Sequence, residues 1–254
     1  MSGLTITSLL VAGALLVPLA YLVLPFVCFR LERSKQRARL ARARHVACLT
    51  FDDGPDPDST PEVLRALESR GVHATFFVLG QRAERHPEQI EAIRAAGHEI
   101  AEHGFAHLHP WWSSPWRYAR DLAKGGRALD RLGVPAAGRS YRPAFGKGNL
   151  ATLGYMCTKG KRPTFWNVDP RDYLQTSSEC IARDTVELVD RMTGAVIILL
   201  HDGRTGRRAG EEAMTARAVE GICDSLSERG FDFMTVRETL GGSRLASHGP
   251  SQGG

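Results

Sequence analysis

Two adjacent acids, Asp52 and Asp53, follow the apolar run Val46-Ala-Cys-Leu-Thr-Phe51 and precede Gly54-Pro55. Asp-Asp-Gly-Pro has a plain reading as a turn rich in turn formers. It also has a chemical one, in which one carboxylate ligates a metal and its neighbour takes a proton from water. His103 and His107 stand four apart. On one helical turn, that spacing would point both imidazoles the same way and let them share a metal. Two histidines and a carboxylate, with remaining positions open to water, make a catalytic metal site rather than a structural one. Such a metal lowers the pKa of bound water and polarises a carbonyl. His109, beside Pro110 and Trp111-Trp112, reads as a loop residue and not a ligand. Arg142, then Asp169 and Asp172, then His201 and Asp202, each end or follow further short apolar runs.

The elements that must carry these groups alternate. Apolar runs at 46–51, 74–79, 99–101, 140–142, 155–158, 165–168, 195–200 and 231–236 read as strands. Helical patterns fall at 60–70, 87–96, 116–132, 177–192 and 211–229, and 149–153 allows only a short helical stretch. Thr60-Pro61-Glu62 is a helix start, and Gly97 is a helix stop. Strands alternating with helices predict an α/β fold with a parallel sheet, and about eight strands predict a closed or nearly closed barrel. In such barrels chemistry gathers at the C-terminal ends of strands, which is where the titratable residues fall.

The chain has 254 residues, 43% of them hydrophobic, which suits one domain with a substantial core. The net charge of +5 is local in origin. Arg30, Arg33, Lys35, Arg37, Arg39, Arg42 and Arg44 face one acid, Glu32, across 30–44, and the rest of the chain is near neutral, so nucleic acid is not an expected partner. Residues 1–29 carry no charged side chain. They are long enough for a transmembrane helix, with residues 30–44 as a basic juxtamembrane linker. A cleavable signal peptide is the rival reading, but it lacks a basic n-region and a short apolar core. The expected location is the cell membrane, single-pass, with the basic flank leaning the domain to the cytoplasmic side. Five cysteines without regular spacing do not form a disulfide framework, and Cys48 and Cys157 read as core residues. Residues 45–240 would form the catalytic domain, and the Gly- and Ser-rich tail 241–254 would be disordered.

Five motifs in order carry a resemblance. Thr50-Phe-Asp-Asp-Gly-Pro55 resembles the first motif of the polysaccharide deacetylase family, also called the NodB homology domain or carbohydrate esterase family four. His103-Gly-Phe-Ala-His107, Arg142-Pro-Ala-Phe-Gly146, Trp166-Asn-Val-Asp-Pro-Arg-Asp-Tyr173 and Leu199-Leu-His201 resemble its second to fifth motifs. The resemblance implies a distorted (β/α) barrel and a hydrolase that removes N-acetyl groups from an amino-sugar-containing glycan. It implies Asp52 as general base, and Asp53, His103 and His107 as ligands of a divalent metal, most often Zn2+, with Co2+, Mn2+ or Ni2+ as alternatives. Arg142 would orient Asp52, and the Phe145 backbone N–H would stabilise the oxyanion. Asp172 would tune His201, the acid that protonates the leaving amine. Leu199 and Tyr173 would line a pocket for the acetyl methyl.

The chain departs from the family pattern at Gly104, Ala144 and Tyr173, where Ser or Thr, Pro and Trp are usual. None of these removes a titrating group, so activity is expected to survive. The basic stretch Thr158-Lys-Gly-Lys-Arg-Pro163 reads as a solvated loop or as a contact for a phosphate on a lipid-linked sugar. Two substrate settings stay open: a cell-wall or surface polysaccharide if the domain faces out, and a lipid-linked or small glycan if it faces in. A non-catalytic carbohydrate-binding relative and an amidase for a non-sugar substrate are the competing classes.

Overall fold

The computed structural model describes residues 3–43, 45–136, 138–203 and 214–241, without most side chains of residues 3–22. Along the chain run α1 (Gly3–Leu40), β1 (Val46–Asp52), α2 (Ser59–Glu68), β2 (Thr75–Val78), α3 (Gly80–Arg85) and α4 (Pro87–Ala95). There follow β3 (Glu99–Glu102), α5 (Pro115–Arg131), α6 (Leu150–Lys159), α7 (Ser178–Asp190), β4 (Val196–His201), α8 (Met214–Glu228), β5 (Asp232–Phe233) and α9 (Val236–Gly241).

The strands are parallel in the order β3-β2-β1-β4, and β5 pairs with the start of β1. All seven residues of β1 are buried, as a central strand covered on both faces requires. Its period of two divides the core. Ala47, Leu49 and Phe51 face outward and pack with residues of α2, α4, α7 and α8. Val46 and Cys48 face inward with Phe77, Ala101, Ala195 and Ile197, above a floor of Leu40, Ala43 and Val236. Thr50 and Asp52 continue that inner row toward the strand's C-terminal end.

The expected eight-stranded barrel is only partly regular, with five strands among the described residues. Single bridges continue the ring from Glu102 to Tyr141, from Tyr141 to Pro163, and from Val168 to Ile198. The runs at 140–142 and 165–168 thus contribute to the wall without forming strands. The run at 155–158 is helical instead. A capping box starts α6: Asn149 Oδ1 accepts from the Thr152 N–H at 3.1 Å, and Thr152 Oγ1 accepts from the Asn149 N–H at 3.1 Å. Gly160 ends it in the left-handed region. Cys157, expected in the core, lies on the exposed face of this helix, whereas Cys48 is buried.

Residues 30–40, expected as a linker, continue α1 without a break, in keeping with their Arg, Lys, Gln and Leu content. This end of α1 is part of the barrel wall. Gln36 Nε2 donates to the Phe165 carbonyl at 2.7 Å, and the Phe165 N–H donates to Gln36 Oε1 at 3.0 Å. Phe29 meets the Phe165 ring edge-on at 5.5 Å, and the Leu40 carbonyl accepts from the Ala195 N–H at 2.9 Å. The transmembrane anchor expected at 1–29 is not supported. Among the described residues no helix is long and apolar enough to cross a membrane. Pro25 and Phe29, inside the expected span, are buried against the domain rather than open on all sides. The side chains of residues 1–22, Ser8 and Tyr21 apart, and the tail 242–254 lie outside the described residues.

Candidate active site

The inner row of β1 brings Thr50 and Asp52 to the upper end of the barrel. Asp52 pairs in register with His201 on β4, and Thr50 with Leu199. Arg142 is wholly buried across the barrel. Its Nη1 donates to Asp52 Oδ1 at 2.6 Å and to Thr50 Oγ1 at 2.9 Å, and its guanidinium lies 3.9 Å from the Phe77 ring centroid.

After Asp52 the chain turns sharply. Asp53 has φ 72°, and a cis peptide joins Gly54 to Pro55. A Cβ at Gly54 would lie 2.3 Å from Asp202 Oδ1, so a larger residue there would have to displace that carboxylate. The turn aims Asp53 away from the strand and toward the two histidines. Asp53 Oδ1 is 3.5 Å from His103 Nε2 and 3.3 Å from His107 Nε2. One ligand atom from each of the three residues lies within 4.8 Å of the others.

His103 and His107 do not share a helical turn. They sit on a loop after β3 in which Gly104 has φ 83° and His107 has φ 52°. The loop is held by Asp121 of α5, whose carboxylate accepts from the N–H groups of Phe105 and Ala106, both at 3.0 Å. The Gly104 and Phe105 carbonyls accept from the first N–H groups of α3, Gly80 at 2.9 Å and Gln81 at 3.0 Å.

The three ligand candidates fit a divalent metal. Asp53 Oδ1 is buried and makes no hydrogen bond among the described residues. His103 Nδ1 is 2.9 Å from the Arg142 carbonyl, which leaves Nε2 as the ligating atom. Burial and the neighbouring His103 push His107 down to about 4, so its imidazole is neutral near pH 7. Burial opposes ionisation of Asp53, but the nearby His103, His107 and His201 outweigh it and hold the carboxyl well below the usual range. Two imidazole nitrogens and one carboxylate oxygen suit Zn2+ and its transition-metal neighbours.

Opposite this cluster, His201 Nδ1 is 2.7 Å from Asp172 Oδ1, and the His201 N–H donates to Asp172 Oδ2 at 2.8 Å. Burial alone would lower this imidazole. The Asp172 charge and hydrogen bond, with Asp52 and Asp53 beyond, raise it to about 9. The Tyr173 ring stands edge-on to His201 at 5.6 Å, and Leu199 is buried on the inner row of β4. Phe145 occupies the left-handed region at φ 58°, half exposed, with its ring 4.4 Å from His107.

The family model for polysaccharide deacetylases matches residues 40–162. A peptidoglycan-N-acetylglucosamine deacetylase of Bacillus cereus is 32% identical over 198 residues, which cover 77% of this chain and 88% of the relative. The chain belongs to the polysaccharide deacetylase family. A chitooligosaccharide deacetylase of a Bradyrhizobium species is 33% identical, over 72% of this chain and 85% of the relative. A solved family 4 carbohydrate esterase from Streptomyces lividans, in complex with acetate, superposes with a TM-score of 0.63 at 26% identity. That match covers 78% of this chain and 96% of the esterase. This deacetylase is therefore a hydrolase of carbon–nitrogen amide bonds on a parallel-sheet α/β fold.

The remaining residues singled out in the sequence separate within the deacetylase fold. His109 does not join the metal cluster; it packs on Trp111, Trp112 and Phe145. Asp169 accepts from the Arg171 N–H at 2.9 Å and is not part of the candidate metal cluster. Asp202 is fully buried and holds the first turn of α2, accepting from Thr60 Oγ1 at 2.6 Å through its carboxylate and from Ser59 Oγ through its carbonyl. Asp121, Thr50 and Gln36 were not singled out. Asp121 had a readable signal, since it shares the i, i+4 face of α5 with Tyr118, Leu122 and Gly125.

Proposed function

We propose that this chain removes the N-acetyl group from N-acetylglucosamine units of a glycan, using one divalent metal held by Asp53, His103 and His107. The observation that carries the reading is the convergence of two differently paired groups on one rim. Asp52 is tied to Arg142, and His201 is tied to Asp172. The bound metal would lower the pKa of a water molecule and polarise the acetyl carbonyl. Asp52 accepts a proton from the attacking water while Arg142 fixes its second oxygen. The water oxygen adds to the carbonyl carbon, and the negative charge passes to the carbonyl oxygen, where the Phe145 N–H is the donor on this chain. The C–N bond then breaks as His201 Nε2 gives its proton to the amine nitrogen. Acetate and a free amino sugar leave. Asp172 keeps His201 protonated near neutrality and holds Nδ1, so Nε2 is the donating atom. Leu199 and Tyr173 flank His201 as the walls for the acetyl methyl.

The exposed indoles Trp111, Trp112 and Trp116 support a sugar substrate, because aromatic faces suit the apolar faces of pyranose rings. The names of the relatives point to the same class. The test is acetate release by the purified chain from N-acetylglucosamine oligomers. Activity should disappear on chelation and return with Zn2+, and His107→Ala should cut metal content measured by elemental analysis. A chelated protein that stays fully active would overturn the metal reading.

A further inference from the structure

A cavity opens between α1 and the turn that carries Phe145. Its volume is about 340 Å³, and its lining includes Phe26, Phe29, Arg30, Arg33, Trp111 and Lys147. That volume lies within the range of small-molecule sites. Phe145 lines the cavity on one side, and its ring lies 4.4 Å from that of His107 on the other, so the cavity and the candidate active site share this residue as a wall.

The lining holds three cations and no acid. Their duties differ. Arg33 is committed: its Nη2 donates to the Gly146 carbonyl at 3.1 Å, and its guanidinium lies 4.1 Å from the Phe165 ring centroid. Among the described residues Arg30 and Lys147 meet only aromatic faces, Arg30 at 5.9 Å from the Phe26 ring and Lys147 at 4.4 Å from the Trp111 ring. Both keep their N–H donors for an anion. The chemistry also changes along α1. Val23, Leu24, Phe26 and Val27 leave large apolar side chains 44–58% exposed, and Arg30 follows one turn later. Phe26, Arg30 and Arg33 are four and three residues apart and so share one face, about 10 Å long, that leads to the Phe145 turn.

Apolar surface, then cations, then the deacetylation site is the order of parts in a phosphorylated amino sugar bearing an apolar aglycone. We infer that the cavity between α1 and the Phe145 turn binds the phosphate of such a substrate. Arg30 and Lys147 take the phosphate, Phe26 and its exposed neighbours take the apolar group, and the N-acetyl group reaches the metal ligands. The inference rests on the deacetylase reading above and specifies its substrate.

The test uses the full chain loaded with Zn2+ and three substrates: N,N′,N″-triacetylchitotriose, N-acetylglucosamine 1-phosphate, and its decyl phosphodiester. Acetate release should give kcat/KM for the decyl phosphodiester at least about ten-fold above the neutral trimer, the scale of one or two charge-assisted contacts. The free sugar phosphate should fall between them. Salt should weaken activity on both phosphorylated substrates and spare the trimer. The double variant Arg30→Glu, Lys147→Glu should collapse the phosphorylated-to-neutral ratio by about ten-fold or more. Binding of the decyl phosphodiester, followed by 31P line broadening on the metal-free chain, reads the site without catalysis. No broadening, equal kcat/KM for neutral and phosphorylated substrates, or charge reversal that lowers both alike would overturn the inference. Broadening without acetate from any substrate would instead defeat the deacetylase reading and leave the phosphate site standing.

Discussion

Arg142 serves two oxygens with one nitrogen. Its Nη1 reaches both Thr50 and Asp52, while its Nε and Nη2 find no hydrogen-bond acceptor among the described residues and lie between Phe77 and Trp166. A charge held this way is costly to bury, and Asp52 is its main compensation. Asp52→Asn should therefore do two things. It should lower kcat by ~10²–10⁴, the usual contribution of a positioned base, and it should lower thermal stability because Arg142 loses its counter-charge. Unchanged kcat would remove Asp52 from the mechanism. His201 sets the other limb. Its folded value of about 9 lies above the ordinary histidine value of 6.5. The stabilisation it adds is therefore full below pH 6.5 and lost as pH rises through about 9. As the proposed proton donor it should follow the same sign, so kcat should fall on the alkaline side. Asp172→Asn removes the main raising influence, and the alkaline limb of the kcat profile should move down toward the ordinary histidine range of about 6.5. A limb that stays in place would assign it to another group.

Glycines set how closely the elements approach around the proposed metal ligands. A Cβ on Gly125 of α5 would lie 2.5 Å from the Gly104 carbonyl, and one on Gly80 of α3 would lie 2.9 Å from Gly125 Cα. Gly125→Ala should push α5 outward and take Asp121 away from the N–H groups of Phe105 and Ala106. The expected cost is ~1–3 kcal/mol in denaturant unfolding, together with weaker Zn2+ binding by titration. Wild-type metal affinity would show that the loop holds its shape without α5. The same elements show what was legible beforehand. The chemistry-bearing residues could be read because β1, β3 and β4 are buried runs that end on polar residues. The backbone of the histidine pair could not. Spacing of four suits a helical turn, while the loop depends on positive φ at Gly104 and His107. Residues 155–158 are ambiguous in the sequence because a short apolar run has no period that separates strand from helix. The Asn149–Thr152 capping box and Gly160 decide it.

At the scale of the molecule, α1 does what the sequence alone assigned to no one element. It floors the barrel with Leu40, braces Phe165 with Gln36, and reaches the Phe145 turn with Arg33. Removing residues 1–40 would expose Phe165 and lose the burial of Phe29 and Leu40, worth about 2 kcal/mol each, plus about 1 kcal/mol for each lost hydrogen bond. The shortened chain should unfold at markedly lower temperature and denaturant concentration than the full chain. Equal midpoints would make α1 an appendage.

The clasp between Gln36 and Phe165 closes across 129 residues of sequence. During synthesis the first helix emerges long before its dock exists. Its Phe29 side and the Gln36 amide must wait for the segment at 163–168, which itself bridges back to Tyr141 and to β4. Long-range closure of this kind is slow, and it leaves apolar surface open while it waits. The helix that completes the wall thus precedes its dock along the chain, and the Phe145 turn that it braces through Arg33 lacks that brace until the two meet.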